Sequence, residues 1–422
     1  MIELGDARAY VLGACSALAP VRRPIAEALG CVATQALVSD VLVPPFDNTA
    51  VDGFAVRAAD TVGADQANPV RLRVIGTIRA GMAPEPSPGV GEAVRIMTGA
   101  PMPAGADAVV MVERSAAVLL DPDGADELLE SVDLLVEVAP GDAVRSAGDD
   151  LRPGDPVYPA GDVLSAGHLG VLATLGVTEV EVVPPPRVGV LSTGDELVQG
   201  SEPLRPGQIR DSNRRTLLAL VEQAGCVAVD LGCIPDDEAA ITAAIEAGAI
   251  GCDVLITSGG VSMGDFDFVK VVLDRIGEMR WMQVAIRPAK PLAFGTVPAG
   301  AVDGSTRRVP VFGLPGNPVS SVVSFELFAR PGLRRMMGRA DDDLDRPRVK
   351  AVADGGFARR PDGKVHFARV VCRYADGGYH VRSAGGQGSH QLSSLVGANA
   401  LAVLPDGDGI EPGGTVDVLL TE

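Results

Sequence analysis

The chain has 422 residues, of which 46% are hydrophobic and 22% charged, and its formal net charge is −19. This length predicts roughly two to four domains, with enough apolar residues for several packed cores. The negative charge disfavours binding to nucleic acid or to anionic membranes, because contacts with phosphates carry most of that affinity. If the substrate is an anion, basic residues must be gathered locally or a metal ion must supply positive charge.

The sequence carries no signal for a membrane span or for secretion. There is no run of about 20 apolar residues, and the first ten residues, MIELGDARAY, lack the apolar stretch of a signal peptide. The six cysteines form no Cys-x-x-Cys pair, which disfavours a zinc site and indicates buried thiols in a reducing compartment. A cytoplasmic protein is therefore expected.

The first half of the chain predicts two short helices followed by β structure. The helices are expected at 6–18 and 24–31. Short runs rich in Val and Ile, separated by Gly, Pro and Asp, predict a small β domain over about 70–138. Three consecutive prolines, 184–186, indicate a stiff connector and a domain boundary.

Strands and helices alternate from about 187 to 330, which predicts a parallel, doubly wound sheet covered on both faces. One helix is expected to open at Asp211 or Ser212, and another at Asn317, with Pro318 in its first turn. Beyond Pro331, five short strands with Gly and Asp turns predict a small closed or partly closed β domain.

Three of the predicted strand ends are rich in glycine and carboxylates: 192–196, 257–267 and 313–318. In an open α/β sheet, ligands bind at the carboxyl ends of the strands. Glycine turns and helix starts present N–H groups to anions, whereas Glu196, Asp265 and Asp267 could hold a Mg²⁺ ion that bridges to a phosphate. The pattern favours a nucleotide or pyrophosphate ligand with a divalent metal over simple glycine turns and helix caps.

A competing motif lies in the second of these segments. Residues 260–264, GVSMG, fit the G-x-S-x-G motif of serine hydrolases, which places the serine between a strand and a helix. A hydrolase would need an aspartate and a histidine after Ser262. Only His366, His380 and His390 follow, all in the last β domain, so this alternative is disfavoured.

A basic segment, Ile286 to Pro291, follows a predicted strand. Arg287 and Lys290 are three residues apart, and the neighbouring prolines fix the direction of the backbone. An oxyanion could bind there, although a solvated basic turn would have the same pattern.

Together these motifs resemble the molybdopterin molybdenumtransferases, the MoeA family, to which the gephyrin E domain also belongs. The matching segments extend over nearly the whole chain in the family's order. They are PPFDNTAVDGFAV (44–56), GTIRAGMAP (76–84), GEAVRIMTGAPMPAGADAVVMVE (91–113), STGDEL (192–197), TSGGVSMGDFDFVK (257–270), IRPAKP (286–291), GLPGNPVS (313–320) and GQGSHQLSS (386–394).

The resemblance implies a multidomain protein of α/β and β structure with four regions. An elongated discontinuous domain would comprise 1–48 and 141–180, with an inserted β domain at 49–140. A central doubly wound α/β domain of the molybdopterin-binding type would cover 181–330. A C-terminal β domain would cover 331–422.

The resemblance also implies a reaction. Adenylylated molybdopterin and molybdate would give molybdenum cofactor and AMP, with Mg²⁺ or a similar divalent ion. The implied catalytic residues are Asp52, Thr98, Asp150, Glu196, Asp236 (or its neighbour Asp237) and Asp267. The implied metal ligands are Glu196, Asp265 and Asp267. Substrate-binding residues would be Ser192, Thr193, Gly194, Gly259, Gly260, Ser262, Pro315, Gly316 and Asn317. The molybdate site would contain Arg287, Lys290, Ser320, Arg369 and Ser389.

One departure concerns the basic segment, where the family commonly has Lys-Pro-Gly-Lys-Pro. Arg287 presents a planar fork in place of a point charge, and Ala289 replaces a glycine that has easy access to positive φ. Oxyanion affinity or selectivity could therefore differ.

The resemblance further implies a homodimer with sites shared between its subunits, and it makes the molybdopterin adenylyltransferase a candidate partner. That single-domain enzyme has a fold similar to residues 181–330 alone, so the additional regions disfavour it as an identity. A scaffold protein or an inactive paralogue are the remaining alternatives.

Overall fold

The computed structural model of the protein describes residues 1–119, 129–260, 268–300 and 306–421. The chain folds into two compact units. The larger unit comprises Met1–Gln35, Gly161–Ser165 and Val180–Glu422, and the smaller one Ala36–Ala160 and Ala166–Glu179. Over the ranges that are described, no helix combines the length and the apolar character needed to cross a membrane.

A six-stranded sheet begins in the larger unit directly after the three prolines. Its strands are β1 Arg187–Thr193, β2 Val227–Ile234, β3 Val254–Ser258, β4 Glu278–Gln283, β5 Pro291–Gly300 and β6 Thr306–Leu314. They lie in the order β2-β1-β3-β6-β5-β4. Strands β2, β1, β3 and β6 are parallel to one another, whereas β5 is antiparallel to β6 and β4 is antiparallel to β5. The predicted α/β class is confirmed, but the edge pair is not parallel, because the connections after β4 and β5 are too short for a crossover.

Helices and hydrophobic clusters cover both faces of this sheet. The helices of the larger unit are α1 Leu4–Ala14, α2 Ser212–Gln223, α3 Glu238–Gly251, α4 Phe268–Ile276, α5 Pro318–Ser324 and α6 Arg330–Met336. A π-helical turn, Phe325–Ala329, joins α5 to α6. Val190 and Leu191, neighbours on β1, are buried in separate clusters, as expected when both faces are covered. The Asp211 carboxylate accepts a hydrogen bond from the Arg214 N–H and caps α2, as predicted.

The last part of the larger unit is a five-stranded barrel. Its strands are β7 Arg348–Ala353, β8 Val365–Ala375, β9 Gly378–Ser383, β10 Ala400–Leu404 and β11 Thr415–Leu420. The order β8-β9-β7-β11-β10 closes, because β10 also pairs with β8. The predicted five strands are thus confirmed, in closed form. A short strand between β4 and β5, Ile286–Arg287, pairs in parallel with the start of β8 and joins the α/β domain to the barrel.

The smaller unit is built on a second six-stranded sheet, in a region predicted to be β structure. In spatial order its strands are Ala108–Met111, Gly53–Val56, Glu92–Ile96, Val70–Ile78, Leu129–Leu134 and Ser115–Leu119. Phe54 and Ala55 are adjacent and fully buried in two different clusters, so both faces of this sheet are covered. The smaller unit also contains one α-helix among its described residues, Ala166–Thr174.

Short stretches that are far apart in the sequence pair with one another inside each unit. In the larger unit, Val32–Ala33 pairs with the end of the strand Glu179–Val183. In the smaller unit two short pairs form: Leu37–Val38 with Pro156–Tyr158, and Asn48–Thr49 with Val144–Arg145. The remaining short pairs are Leu197–Val198 with Ile209–Arg210 and Phe357–Ala358 with Gly409–Ile410. The described residues also form five 3-10 turns: Ile25–Glu27, Ala58–Thr61, Val112–Arg114, Asp341–Asp343 and Leu392–Leu395.

The two helices expected near the N-terminus differ from the prediction. The first begins and ends earlier than expected, at Leu4 and Ala14. The prediction of a second helix over 24–31 is wrong, since Val21–Pro24 is a strand and only Ile25–Glu27 is helical, as a single 3-10 turn. Pairing of Val21–Pro24 with the distant strand Glu179–Val183 overrides the local pattern.

Candidate active site

The ends of β3 and β6 are tied together at the carboxyl edge of the α/β sheet. The Gly259 N–H donates to the Leu314 carbonyl at 3.0 Å. The Asn213 side-chain amide, from the first turn of α2, donates to Ser258 Oγ at 2.9 Å and to the Gly316 carbonyl at 2.7 Å. The glycine turns after these two strands therefore lie next to each other. Pro315, which is buried, and Asn317, which is exposed, flank the second turn.

The end of β1 is fixed by a buried polar network. Ser192 is 1% exposed, and its hydroxyl donates to the Asp211 carboxylate at 2.7 Å. That carboxylate also pairs with the buried Arg214 guanidinium at 2.8 Å. The Ser192 hydroxyl therefore makes its hydrogen bond within the protein, and the adjacent Thr193 is only 9% exposed.

The turn after β1 requires glycine. Gly194 has φ +145°, and a Cβ at this position would lie 2.5 Å from a carboxylate oxygen of Glu196. Any other residue would push this side chain away, because real Cβ contacts are longer than 3.0 Å. Gly194 therefore allows the chain to present the exposed Glu196 carboxylate at the sheet edge.

Three carboxylates influence one another at this edge. The Asp195 carboxylate accepts a hydrogen bond from the Asp236 N–H at 3.1 Å. Burial, and then the negative charges of Asp195 and Glu196, raise the pKa of Asp236 above its ordinary value. Asp237, the alternative to Asp236, instead caps α3 through the Ala240 N–H at 2.8 Å. The edge therefore has a negative potential that a divalent cation would neutralise.

Several predicted residues of this edge lie outside the described part of the chain. They are Ser262, Asp265 and Asp267, and with them most of the GVSMG motif. Among the described residues alone, no group of three or more His, Cys, Asp or Glu side chains could hold a metal ion. The described carboxylates thus supply only part of the predicted metal ligand set.

A basic cavity of about 370 Å³ lies between the α/β domain and the barrel. Four of the five predicted molybdate residues line it: Arg287, Lys290, Ser320 and Ser389. A third cation, Lys364, also lines it, together with Pro315, Asn317 and Gln387. None of the described residues that line this cavity is acidic. A small tetrahedral dianion suits a cavity lined by cations and hydroxyls.

Backbone hydrogen bonds bring the walls of this cavity together. The Val365 N–H donates to the Ala285 carbonyl at 2.9 Å, which places the start of β8 beside the basic segment. The Val319 N–H donates to the Ser389 carbonyl at 3.0 Å, which joins the start of α5 to the loop after β9. Ala289 adopts φ +72°, so the backbone of the basic segment takes the left-handed form although it lacks the family's glycine.

Arg369 does not line the cavity. Its side chain is fully buried, and its Nη2 donates to the carbonyls of Gly386 and Gly388 at 2.7 and 3.2 Å. Its Nε donates to Ser394 Oγ at 2.6 Å. Arg369 therefore holds the backbone of the loop that carries Ser389, and burial lowers the pKa of its guanidinium.

The other predicted polar residues belong to the smaller unit. The Thr98 N–H and hydroxyl both donate to one Asp52 carboxylate oxygen at 2.7 Å. These two bonds, the backbone one first, lower the pKa of Asp52, with a further contribution from Arg95. Asp150 is exposed, and its N–H donates to the Val43 carbonyl at 2.9 Å. The structure thus brings Asp52 and Thr98 into direct contact and ties Asp150 to the start of the loop that leads to Asp52.

Sequence reasoning missed two residues of the larger unit. Asn213 connects two strand ends, but an asparagine near the start of a helix is ordinarily interpreted as a capping residue. Lys364 lies in a Gly-containing turn, where a lysine is ordinarily a solvated charge. The one feature of the sequence that singles out Lys364 is the small number of lysines in the chain. There are four: Lys270, Lys290, Lys350 and Lys364.

A glycine-rich sheet edge beside a cation-lined cavity is an arrangement that suits anionic ligands in an α/β protein. Three family models match the chain. They are described as the MoeA N-terminal region (domain I and II) over residues 2–176, the "Probable molybdopterin binding domain" over 189–335 and the MoeA C-terminal region (domain IV) over 352–421.

Curated relatives and solved structures match over most of the chain. A molybdopterin molybdenumtransferase 2 of Mycobacterium tuberculosis is 39% identical, with 92% of this chain and 91% of the relative covered. The molybdopterin molybdenumtransferase of Haemophilus influenzae is 37% identical, with 93% and 91% covered. A crystal structure of a molybdopterin biosynthesis MoeA protein from Pyrococcus horikoshii has a TM-score of 0.75 at 31% identity, covering 100% and 99% of the two chains. The chain therefore belongs to the MoeA family, as the sequence motifs predict.

Proposed function

We propose that the chain is a molybdopterin molybdenumtransferase, which takes adenylylated molybdopterin and molybdate and yields molybdenum cofactor and AMP. The observation that carries this proposal is the basic cavity. Residues more than 100 positions apart in the sequence, from Arg287 to Ser389, line one space with three cations and no acidic side chain among its described lining residues. Such a site suits a tetrahedral dianion, and the curated relatives carry the name of this activity.

Each part of the site has a role in this reaction. Arg287, Lys290, Ser320 and Ser389 bind the oxyanion directly, and Arg369 supports the loop that carries Ser389 from inside the protein. The glycine turns at Gly194, Gly259, Gly260 and Gly316 allow the substrate to approach the backbone closely. The polar residues at the carboxyl edge of the α/β sheet bind the part of the substrate that carries the phosphoanhydride.

Mg²⁺ fits the acidic edge by donor chemistry. Glu196 and Asp236 are carboxylates in a region of negative potential, and oxygen ligands of this kind are the ones that Mg²⁺ prefers. They would hold the ion together with Asp265 and Asp267. When bound, it would neutralise charge on the phosphoanhydride.

A direct assay tests the function. The purified protein is incubated with adenylylated molybdopterin, molybdate and Mg²⁺, and AMP and molybdenum cofactor are measured. Release of both in equal amounts is the expected result. An inactive paralogue would release neither, and a scaffold protein would bind the substrate without converting it.

The protein is further proposed to work as a homodimer with a site that two subunits share, and to receive its substrate from a molybdopterin adenylyltransferase. Asp52 and Thr98 belong to one compact unit, while Glu196 belongs to the other. A mixture of the inactive variants Asp52→Ala and Glu196→Ala should regain activity after subunit exchange, because one site per heterodimer then carries neither lesion. Heterodimers that form and stay inactive would exclude the shared site.

A further inference from the structure

We infer that Lys364 is an additional binding residue for a tetrahedral oxyanion in the basic cavity, an inference that rests on the proposed function. Lys364 lines the cavity with Arg287 and Lys290 but comes from a different domain, the turn that precedes β8 of the barrel. Backbone pairing fixes this position, since Ile286 and Arg287 face Val365 and His366 in the parallel ladder. The barrel therefore supplies a cation that the α/β domain alone lacks.

The Lys364 side chain is held in place before any ligand binds. Its side chain is 23% exposed, and its Nζ lies 3.2 Å from a carboxylate oxygen of Asp362. The other oxygen of Asp362 accepts a hydrogen bond at 2.8 Å from Arg359, whose side chain is 4% exposed. Arg359 also donates to the Lys364 carbonyl at 3.1 Å. Most of the entropy cost of ordering a lysine is therefore met by the fold and not by the ligand.

The carboxylate of Asp362 is shared between Lys364 and two neighbouring side chains. The same carboxylate faces Arg359 and, at 3.1 Å from both oxygens, the His366 ring. Arg359 also pairs with a second carboxylate, that of Asp406, at 2.8 Å, so Arg359 and Lys364 are balanced by two carboxylates, neither of which lines the cavity. The excess positive charge of the cavity comes from Arg287 and Lys290, since the side chain of neither makes a hydrogen bond or ion pair with any of the described residues. A dianion is the ligand that this charge favours.

Lys350 provides a matched control in the same barrel. It too lies 3.3 Å from a shared carboxylate, that of Asp417, which also pairs with Arg348. However, its side chain is 78% exposed, and it does not line the basic cavity. Lys350 and Lys364 therefore make similar ion pairs and differ in whether a cavity lies beside them.

The oxyanion could be molybdate or the phosphate of the pterin substrate, and binding measurements separate the two. Calorimetric titrations of molybdate and of inorganic phosphate are compared for the wild type, Lys364→Ala, Lys364→Arg and Lys350→Ala. We expect Lys364→Ala to weaken molybdate binding about tenfold. Lys364→Arg should restore most of the affinity, and Lys350→Ala should bind as the wild type does. Loss of phosphate binding alone would assign Lys364 to the substrate's phosphate and still support the inference.

Unchanged binding of both anions by a folded Lys364→Ala variant would overturn the inference. If that variant unfolds, Lys364→Met keeps the aliphatic arm and takes its place. The outcome is separable from the proposed function. A wild type that makes AMP and cofactor while Lys364→Ala binds both anions normally leaves the function intact. A wild type whose molybdate binding depends on Lys364 but which makes no AMP supports Lys364 and rejects the function.

Discussion

Two regions at the same end of the α/β sheet carry opposite charge. At the end of β1 the carboxylates of Asp195, Glu196 and Asp236 repel one another, and the pKa of Asp236 is raised. At the β4–β5 connection, Arg287 and Lys290 line a cavity without an acidic lining residue among those described. Under the proposed function, a chain with a net charge of −19 binds an anion through locally concentrated cations and holds a metal ion through the carboxylates nearby.

The largest expected effect concerns the acidic region. Removal of divalent ions with EDTA should abolish AMP release, and Mg²⁺ should restore it. Glu196→Gln should lower kcat about a hundredfold or more, because a charged ligand to the ion is lost where negative charge must be neutralised. Molybdate binding should change little. Full activity in EDTA would show that this region serves another purpose.

The basic region should respond in the opposite way. Arg287→Ala and Ser389→Ala should each raise the molybdate concentration needed for half-maximal activity, by about tenfold for the arginine. Nucleotide binding should be less affected, and tungstate should compete with molybdate. Steady-state kinetics at varied molybdate measure this. Normal molybdate dependence in both variants would place the oxyanion elsewhere.

Arg369 tests the basic region in a different way, because it is buried and contacts the loop that carries Ser389 and not the cavity itself. Arg369→Ala should weaken molybdate binding and also lower the thermal midpoint, since two carbonyls and a hydroxyl lose their buried donor. Ser389→Ala should weaken binding with an unchanged midpoint. Differential scanning calorimetry distinguishes them, and equal midpoints for the two variants would contradict the supporting role of Arg369.

A smaller effect is expected at Ala289. This residue has φ +72°, a conformation that costs a residue with a Cβ about 1 kcal/mol. Ala289→Gly should therefore raise the free energy of unfolding by that amount less the conformational entropy that glycine adds to the unfolded chain. Chemical denaturation measures the change. A clear loss of stability would mean that the left-handed conformation is not strained here.

The smallest effect is a shift in one pKa in the smaller unit. Thr98→Val should raise the pKa of Asp52 toward its ordinary value of 3.8, because a hydrogen bond to the carboxylate is lost. The pKa of Asp52 is lowered in the fold, so its contribution to stability is present above 3.8 and is lost as the pH falls. A carbon-detected NMR titration measures it. The pKa of Asp65, which Asn68 and Ala67 lower in the same unit, should not move.

Much of this arrangement follows from the sequence. The alternation of strands and helices predicts the α/β sheet, and the run of short strands predicts the barrel. Arg287 and Lys290 stand out as a candidate oxyanion pair because they are close in the sequence and flanked by prolines, and the structure shows that both line one cavity. Local patterns of residue type and spacing are enough for these features.

Other features depend on contacts between distant residues, which local patterns do not specify. The place of Lys364 depends on the pairing of Val365–His366 with Ile286–Arg287, about 80 residues earlier in the chain. The burial of Arg369 depends on how the loop before Ser389 folds over it. The antiparallel edge of the sheet likewise follows from short connections that the strand patterns alone do not reveal.

The central claim is that the basic cavity binds the oxyanion, and crystals soaked in tungstate test it most directly. Tungstate is a tetrahedral dianion like molybdate, and tungsten has strong anomalous scattering. We predict one dominant anomalous peak within hydrogen-bond distance of Arg287, Lys290 and Ser389, and its loss in Arg287→Ala crystals. A dominant peak outside this cavity, unchanged in the variant, would contradict the assignment of the oxyanion site.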